Sequence, residues 1–238
     1  TTEIYTLSLH DALPIYWLKE CHSDDERRFN FFRDRLTGKS LLDFGCGAGG
    51  FLLKSRDVVA SCTGVEPELK LQNHFSHHGL AVHDTLESLL NGIDRYDIIT
   101  AFHVIEHIPD PVATLRSLVE LLESQGELIV EVPNSEDALL TLYNCEGFRR
   151  FTYWSQHLYL FNQNTLTNLV RKAGLSLRWM KQIQRYPLSN HLYWLTNGKP
   201  GGHKQWLFLN DPTLVESYAN SLASLGKCDT ILAGLGPK

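Results

Sequence analysis

Four side chains near the middle of the chain have the chemistry of proton transfer. His103, Glu106 and His107 fall in one run, Phe102-His103-Val104-Ile105-Glu106-His107-Ile108-Pro109-Asp110-Pro111, and His157 lies in a later aromatic stretch. A helix beginning at His103 would set positions i, i+3 and i+4 on one face, so the spacing predicts that the three side chains of the run converge. Histidine titrates close to neutral pH and suits a general base. Two imidazoles and a carboxylate also make acceptable ligands for a divalent metal. A helix cap with core packing is the third role open to the Glu106–His107 pair. The reading adopted carries no metal; His103, Glu106 and His107 are the set that would hold one.

A second constellation lies upstream, in Leu41-Leu42-Asp43-Phe44-Gly45-Cys46-Gly47-Ala48-Gly49-Gly50. An apolar run ending in glycines, followed by Phe51-Leu52-Leu53, predicts a buried parallel strand, a tight turn and the first turn of a helix. Glycine permits positive φ and lets a ligand lie against the backbone. The helix start offers unpaired N–H groups and the positive end of a dipole, so a ligand with a carboxylate or phosphate is expected there. Cys62-Thr63-Gly64-Val65-Glu66 predicts the next strand, one right-handed βαβ step on, which brings Glu66 and Pro67 to the carboxyl edge beside the glycine turn. A carboxylate there can accept from both hydroxyls of a ribose. The spacing Gly45-x-Gly47-x-x-Gly50 with an acid about 20 residues later also satisfies the dinucleotide fingerprint.

The arrangement Asp-x-Gly-x-Gly-x-Gly at 43–49 resembles motif I of the class I S-adenosylmethionine-dependent methyltransferases. The Tyr96–Pro111 block and the Gly126–Asn134 strand resemble that family's following motifs, in the same order; the similarity covers Leu41 to Gly174. It implies methyl transfer from S-adenosylmethionine to a small molecule, more readily at oxygen. The donor site it implies comprises Asp43, Gly45, Cys46, Gly47, Gly49, Glu66, Pro67, Ala101, Phe102 and His103, with Asp84 and Thr85 both in reach of the adenine position. His157, in Trp154-Ser155-Gln156-His157-Leu158-Tyr159-Leu160-Phe161, resembles the family segment that borders the acceptor. Ubiquinone-pathway O-methyltransferases with Glu-x-x-Glu-His at the fourth-strand motif are metal-dependent; here His103 replaces the first Glu. Two alternatives remain: an NAD-dependent oxidoreductase, which would need neither the Tyr96–Pro111 block nor lack a Tyr-x-x-x-Lys pair, and a non-catalytic S-adenosylmethionine-binding module.

These residues need a scaffold, and the rest of the chain predicts one. Strands at 41–44, 62–66, 79–83, 95–101, 126–134, 175–183 and 230–233 alternate with helical stretches. That pattern is an α/β doubly wound, Rossmann-like sheet of about seven strands, mostly parallel with an antiparallel last strand. Aromatic-rich insertions at about 135–165 and 184–211 supply a lid. The helical segment 16–40 leans on the sheet near the ligand mouth. Thr1–Ile15 resembles a translated sequencing adapter and is set aside as non-native, leaving a truncated N-terminal helix and a domain at 41–238. A formal net charge of −5, with no basic run, argues against a nucleic-acid partner. Five scattered cysteines without a CxxC pair fit a reducing, cytoplasmic setting and no zinc site. No apolar run reaches the ~18 residues of a membrane span. Oligomeric state is left open.

Overall fold

The computed structural model describes residues 2–153 and 157–238, with residues 2–13 described by backbone alone. Trp154, Ser155 and Gln156 of the aromatic stretch lie outside the described residues. Seven strands form one sheet in the order β3-β2-β1-β4-β5-β7-β6. The chain divides into two compact units, residues 1–102 with 115–129, and residues 103–114 with 130–236.

The first unit opens with a long helix, α1 (Thr2–Leu36), which carries Pro14 inside it. β1 (Ser40–Phe44) follows and then α2 (Gly50–Ser55). β1 pairs in parallel with β2 (Ser61–Val65) on one side and with β4 (Tyr96–Phe102) on the other. β2 pairs in parallel with β3 (Ala81–His83). The connecting helices are α3 (Gln72–His78) and α4 (Glu87–Leu90). Leu41, Leu42 and Ile99 are fully buried, as expected for strands covered on both faces, and so is Leu52 of α2. At the entry to β1 and β4, Asp97 accepts from the Ser40 amide at 2.9 Å and from the Ser40 hydroxyl at 3.0 Å, fixing the register of the two strands. The amphipathic helix α5 (Pro111–Glu120) leads into β5 (Leu122–Pro133), and both run from one unit into the other.

In the second unit two short helices, α6 (Ala138–Thr141) and α7 (Glu146–Thr152), precede α8 (Gln163–Lys172). α8 begins with a capping box between Asn162 and Thr165 and ends at Gly174 with φ 79°, the left-handed stop that glycine supplies. β6 (Ser176–Ile183) then pairs antiparallel with β7 (Thr230–Gly236). Between them lie α9 (Leu188–Asn197), α10 (Gly202–Gln205) and α11 (Pro212–Ser224). Asn134, at the end of β5, ties the unit together: its side chain donates to the Cys228 carbonyl at 2.8 Å and accepts from the Glu136 amide at 3.0 Å. The alternation and the antiparallel close are therefore as the sequence predicts, and β7 extends three residues beyond the expected end at 233.

Candidate donor and acceptor sites

In the first unit the glycine turn is held by an acid from the neighbouring strand end. Gly45, Gly47 and Gly49 all have positive φ, at 74°, 53° and 77°. Glu66 Oε2 accepts the Gly47 amide at 3.0 Å, and Oε1 accepts the Glu68 amide at 3.0 Å. A carboxylate has about four lone-pair sites, so Glu66 retains capacity for a ligand's hydroxyls. A Cβ on Gly47 would meet nothing nearer than Trp17 at 3.9 Å. The space before the turn is open, and a side chain there would fill it.

That space is a cavity of about 100 Å³ lined by Asp43, Gly45, Cys46, Gly47 and Phe102, and also by residues of α1, among them Asp25 and Arg28. The α1 residues were not singled out from sequence, although their i, i+3 spacing places both on one helix face. Arg28 donates to Asp25 at 3.4 Å, and its guanidinium lies 4.5 Å from the centroid of the Phe102 ring. A Cβ on Gly50 would collide with the Asp25 carboxylate, so glycine is what lets α1 close on the turn. Asp43 accepts from the Thr100 hydroxyl at 2.6 Å. Burial, against that hydrogen bond, pushes its carboxyl up to about 7, and Asp25 is pushed up to about 6 for the same first reason. Burial also drives the Cys46 thiol well up, which removes it as a nucleophile.

The sign of the Asp43 effect on stability is fixed by its direction. Folding raises this pKa from 3.8 to about 7, so across that window the folded chain binds more protons than the unfolded one. Stability contributed by this group therefore falls as pH rises through the window. Asp43→Asn removes the titration. Its Tm relative to the parent, measured without ligand, is expected to climb as pH is raised from the low to the high end of that range; a constant difference would contradict the assignment.

Of the remaining predicted residues in this unit, Ala101 is fully buried at the end of β4. Pro67 follows β2, and Asp84 and Thr85 follow β3 on the exposed edge.

The second unit brings the acid-base residues together, but not on a helix. His103 has φ 55°, a left-handed conformation uncommon outside glycine, and only a 3-10 turn, Ile105–His107, follows. Pro109 and Pro111 close off any longer helix. The expected helical face is thus corrected, while the convergence is reached by another route. His103 Nδ1 lies 3.2 Å from Glu106 Oε1, and His107 Nε2 lies 3.9 Å from the same oxygen. Glu106 is fully buried, and its Oε2 has no hydrogen-bond partner among the described residues. On the other edge of the ring, His103 Nε2 lies 3.2 Å from Glu131 Oε1 and 3.0 Å from an Arg185 nitrogen. Burial and the Arg185 charge pull the imidazole pKa down, but hydrogen bonds to Glu106 and Glu131 and the charge of Glu131 outweigh them, and the net shift is upward.

His103 and Arg185 open into a cavity of about 220 Å³ within this unit. Phe148, Phe151 and Trp194 line it and touch one another, with ring centroids 5.3–6.3 Å apart. Asp137, Asp229, His157 and His191 line it as well. Burial pushes His191 down to about 4, so it is neutral at physiological pH. It reaches Tyr218 at 2.8 Å, and Tyr218 reaches Tyr143 at 2.9 Å. The ring of His157 lies 4.9 Å from that of His107, tilted by 35°. Glu106, His107 and His157 present ligand atoms within 4.8 Å of one another, so it is His157, and not His103, that completes the geometric set for a cation. Arg149 and Arg150 both pair with Glu146 on their own helix, at 3.6 and 3.1 Å.

A family profile described as a methyltransferase domain matches residues 20–178. The ubiquinone biosynthesis O-methyltransferase of Haemophilus ducreyi is 27% identical over 198 residues, covering 75% of this chain and 84% of that protein. Its counterpart in Marinobacter nauticus is 25% identical over 192 residues, covering 74% and 81%. Among solved structures, a Thermotoga maritima protein described as an S-adenosylmethionine-dependent methyltransferase, possible histamine N-methyltransferase, matches with a TM-score of 0.59 at 19% identity, covering 94% of this chain and 93% of that one. The magnesium protoporphyrin IX methyltransferase of Synechocystis, solved with bound S-adenosylhomocysteine, matches with a TM-score of 0.55 at 13% identity, covering 94% and 86%. The profile match takes in the second half of α1, the glycine turn and the His103–His107 run in one span. The chain therefore belongs to the S-adenosylmethionine-dependent methyltransferases, with S-adenosylmethionine as its methyl donor.

Proposed function

We propose that the enzyme methylates a small-molecule acceptor at oxygen, with the glycine corner of the first unit holding the donor and the aromatic-walled cavity of the second holding the acceptor. S-adenosylmethionine, when bound, supplies an electrophilic methyl on a sulfonium. On this reading Glu66 accepts from the ribose hydroxyls, Asp43 faces the ammonium, Arg28 meets the carboxylate, and Asp84 or Thr85 meets the adenine. The backbone of Ala101 and Phe102 completes the floor of the donor site. The protein's further task is to orient the acceptor oxygen and to take its proton, since alignment alone supplies part of the barrier reduction, about 7–11 kcal/mol in favourable cases.

The observation that carries the reading is the setting of His103. Neutral His103 with its proton on Nδ1 donates to Glu106, and its basic Nε2 then accepts from Arg185 at 3.0 Å, a contact that must be released when Nε2 takes a proton. Once Nε2 takes the acceptor's proton, Glu131 Oε1 at 3.2 Å stabilises the imidazolium. The strained φ of His103 keeps the ring between the two carboxylates. His107 and His157 border the same region and stand as auxiliary groups.

The unpartnered Glu106 Oε2 favours a second reading, in which Glu106, His107 and His157 hold a divalent cation. Transfer of labelled methyl from S-adenosylmethionine to a panel of hydroxylated small molecules tests both. Methylation at oxygen that survives dialysis against EDTA is the expected result. Loss of activity in EDTA, restored by a divalent metal, would favour the cation, and transfer only to nitrogen would overturn the oxygen assignment.

A further inference from the structure

The cavity of the second unit has a charge pattern that its role as acceptor site does not by itself explain. Asp137 is 3% exposed and lines the cavity. One of its oxygens caps α6 by accepting the Leu139 amide at 2.6 Å. A cap needs one oxygen, so the second is not committed to the helix end. Asp229, which also lines the cavity, uses Oδ2 to accept the Arg185 and Tyr186 amides at 2.9 and 3.1 Å. Its Oδ1 is buried with no hydrogen-bond partner among the described residues. Asp137 and Asp229 thus bring two carboxyl groups to the lining of one largely apolar cavity, where a carboxyl oxygen left unpaired is costly.

The surroundings say what would satisfy them. Burial raises the affinity of Asp137 for a proton, with its carboxyl at about 7, and the negative charge of Asp229 adds to the effect. Burial raises Asp229 too, against the opposing charge of Arg185. His191, which also lines the cavity, stays neutral and offers no countercharge, while Arg185 at the same cavity is already engaged by the Asp229 charge and by His103. Phe148, Phe151 and Trp194, which line the same cavity, form a contiguous aromatic wall. Aromatic faces attract cations, and aromatic rings with a carboxylate form the usual cage for an ammonium group.

We propose that the acceptor carries a protonated amine, held by Asp137 and Asp229 against the Phe148–Phe151–Trp194 wall. This rests on the reading of the cavity as the acceptor site and adds the class of molecule that enters it. A cavity of about 220 Å³ accommodates a compact molecule of roughly one ring with a short tail.

Three catechols that differ only at the tail provide the test: dopamine, with an ammonium; 4-ethylcatechol, neutral; and 3-(3,4-dihydroxyphenyl)propionate, anionic. Binding to the full chain is measured by calorimetry in the presence of S-adenosylhomocysteine. Dopamine is expected to bind at least tenfold more tightly than either analogue. Asp137→Asn keeps a capping oxygen for α6 and is expected to abolish that preference, bringing dopamine and 4-ethylcatechol to within a few-fold of each other. Equal or tighter binding of the neutral or anionic analogue, binding of none of the three, or a preference that survives Asp137→Asn overturns the proposal. S-adenosylhomocysteine binding in the same samples separates the two levels: if it persists without an amine preference, the methyltransferase reading stands and the amine does not.

Discussion

Glu66→Ala is expected to weaken S-adenosylmethionine binding by about a hundredfold or more while the chain stays folded. The expectation follows from what the carboxylate does. It already accepts the Gly47 amide at 3.0 Å, so it sets the turn, and on the proposed reading its remaining lone pairs accept from the ribose hydroxyls. Two charge-assisted hydrogen bonds to a ligand are worth about 1.5–3 kcal/mol each, and losing both gives a factor of that size or larger. Glu66→Gln retains one carbonyl acceptor and is expected to fall between the parent and the alanine variant. Equilibrium dialysis with labelled donor, beside a thermal melt of each variant, makes the comparison. An alanine variant that melts like the parent and binds donor within a few-fold of it would remove Glu66 from the site.

His103→Ala is expected to lower methyl transfer by about 10²–10⁴-fold, the usual worth of a positioned general base, with donor affinity unchanged. The pH profile carries the sharper information. A base must be unprotonated to act, and the Glu106 and Glu131 contacts raise this imidazole above its ordinary 6.5 despite burial and Arg185. The parent's rate is therefore expected to rise through an acidic limb whose midpoint lies above that value. Glu131→Gln removes one of the raising charges, and its limb is expected to move to lower pH. A structural role for Glu131 would change the height of the profile and leave its midpoint in place.

The parts of this molecule that could be read from sequence are those whose partners are close along the chain. The glycine turn is one: strand, turn and helix start are adjacent in 41–53, and each residue type carries its own conformational consequence. The Glu66 corner is another, because a βαβ step has one hand and one short span. The acid-base cluster was legible only in part. Its members share one run, but the helix expected there does not form, since His103 takes a left-handed φ and the 3-10 turn ends at His107 before Pro109. The partners that give His103 its character, Glu131 and Arg185, come from distant segments, Arg185 being 82 residues away in sequence. Nothing in the local pattern marks Asp137 or Asp229 either. One reads as an ordinary N-cap and the other as a loop acid until the fold closes a cavity over both. Asp25 and Arg28 sit between these cases. Their i, i+3 spacing showed a shared face, but not that the face closes on the glycine turn.

The account depends most on the donor corner of the first unit. Calorimetric titration of the purified full chain with S-adenosylhomocysteine, and separately with NAD, tests it most directly. Saturable binding of one S-adenosylhomocysteine per chain, with no heat from NAD, is the predicted result. A chain that takes up NAD and ignores S-adenosylhomocysteine, or binds neither, would contradict the account.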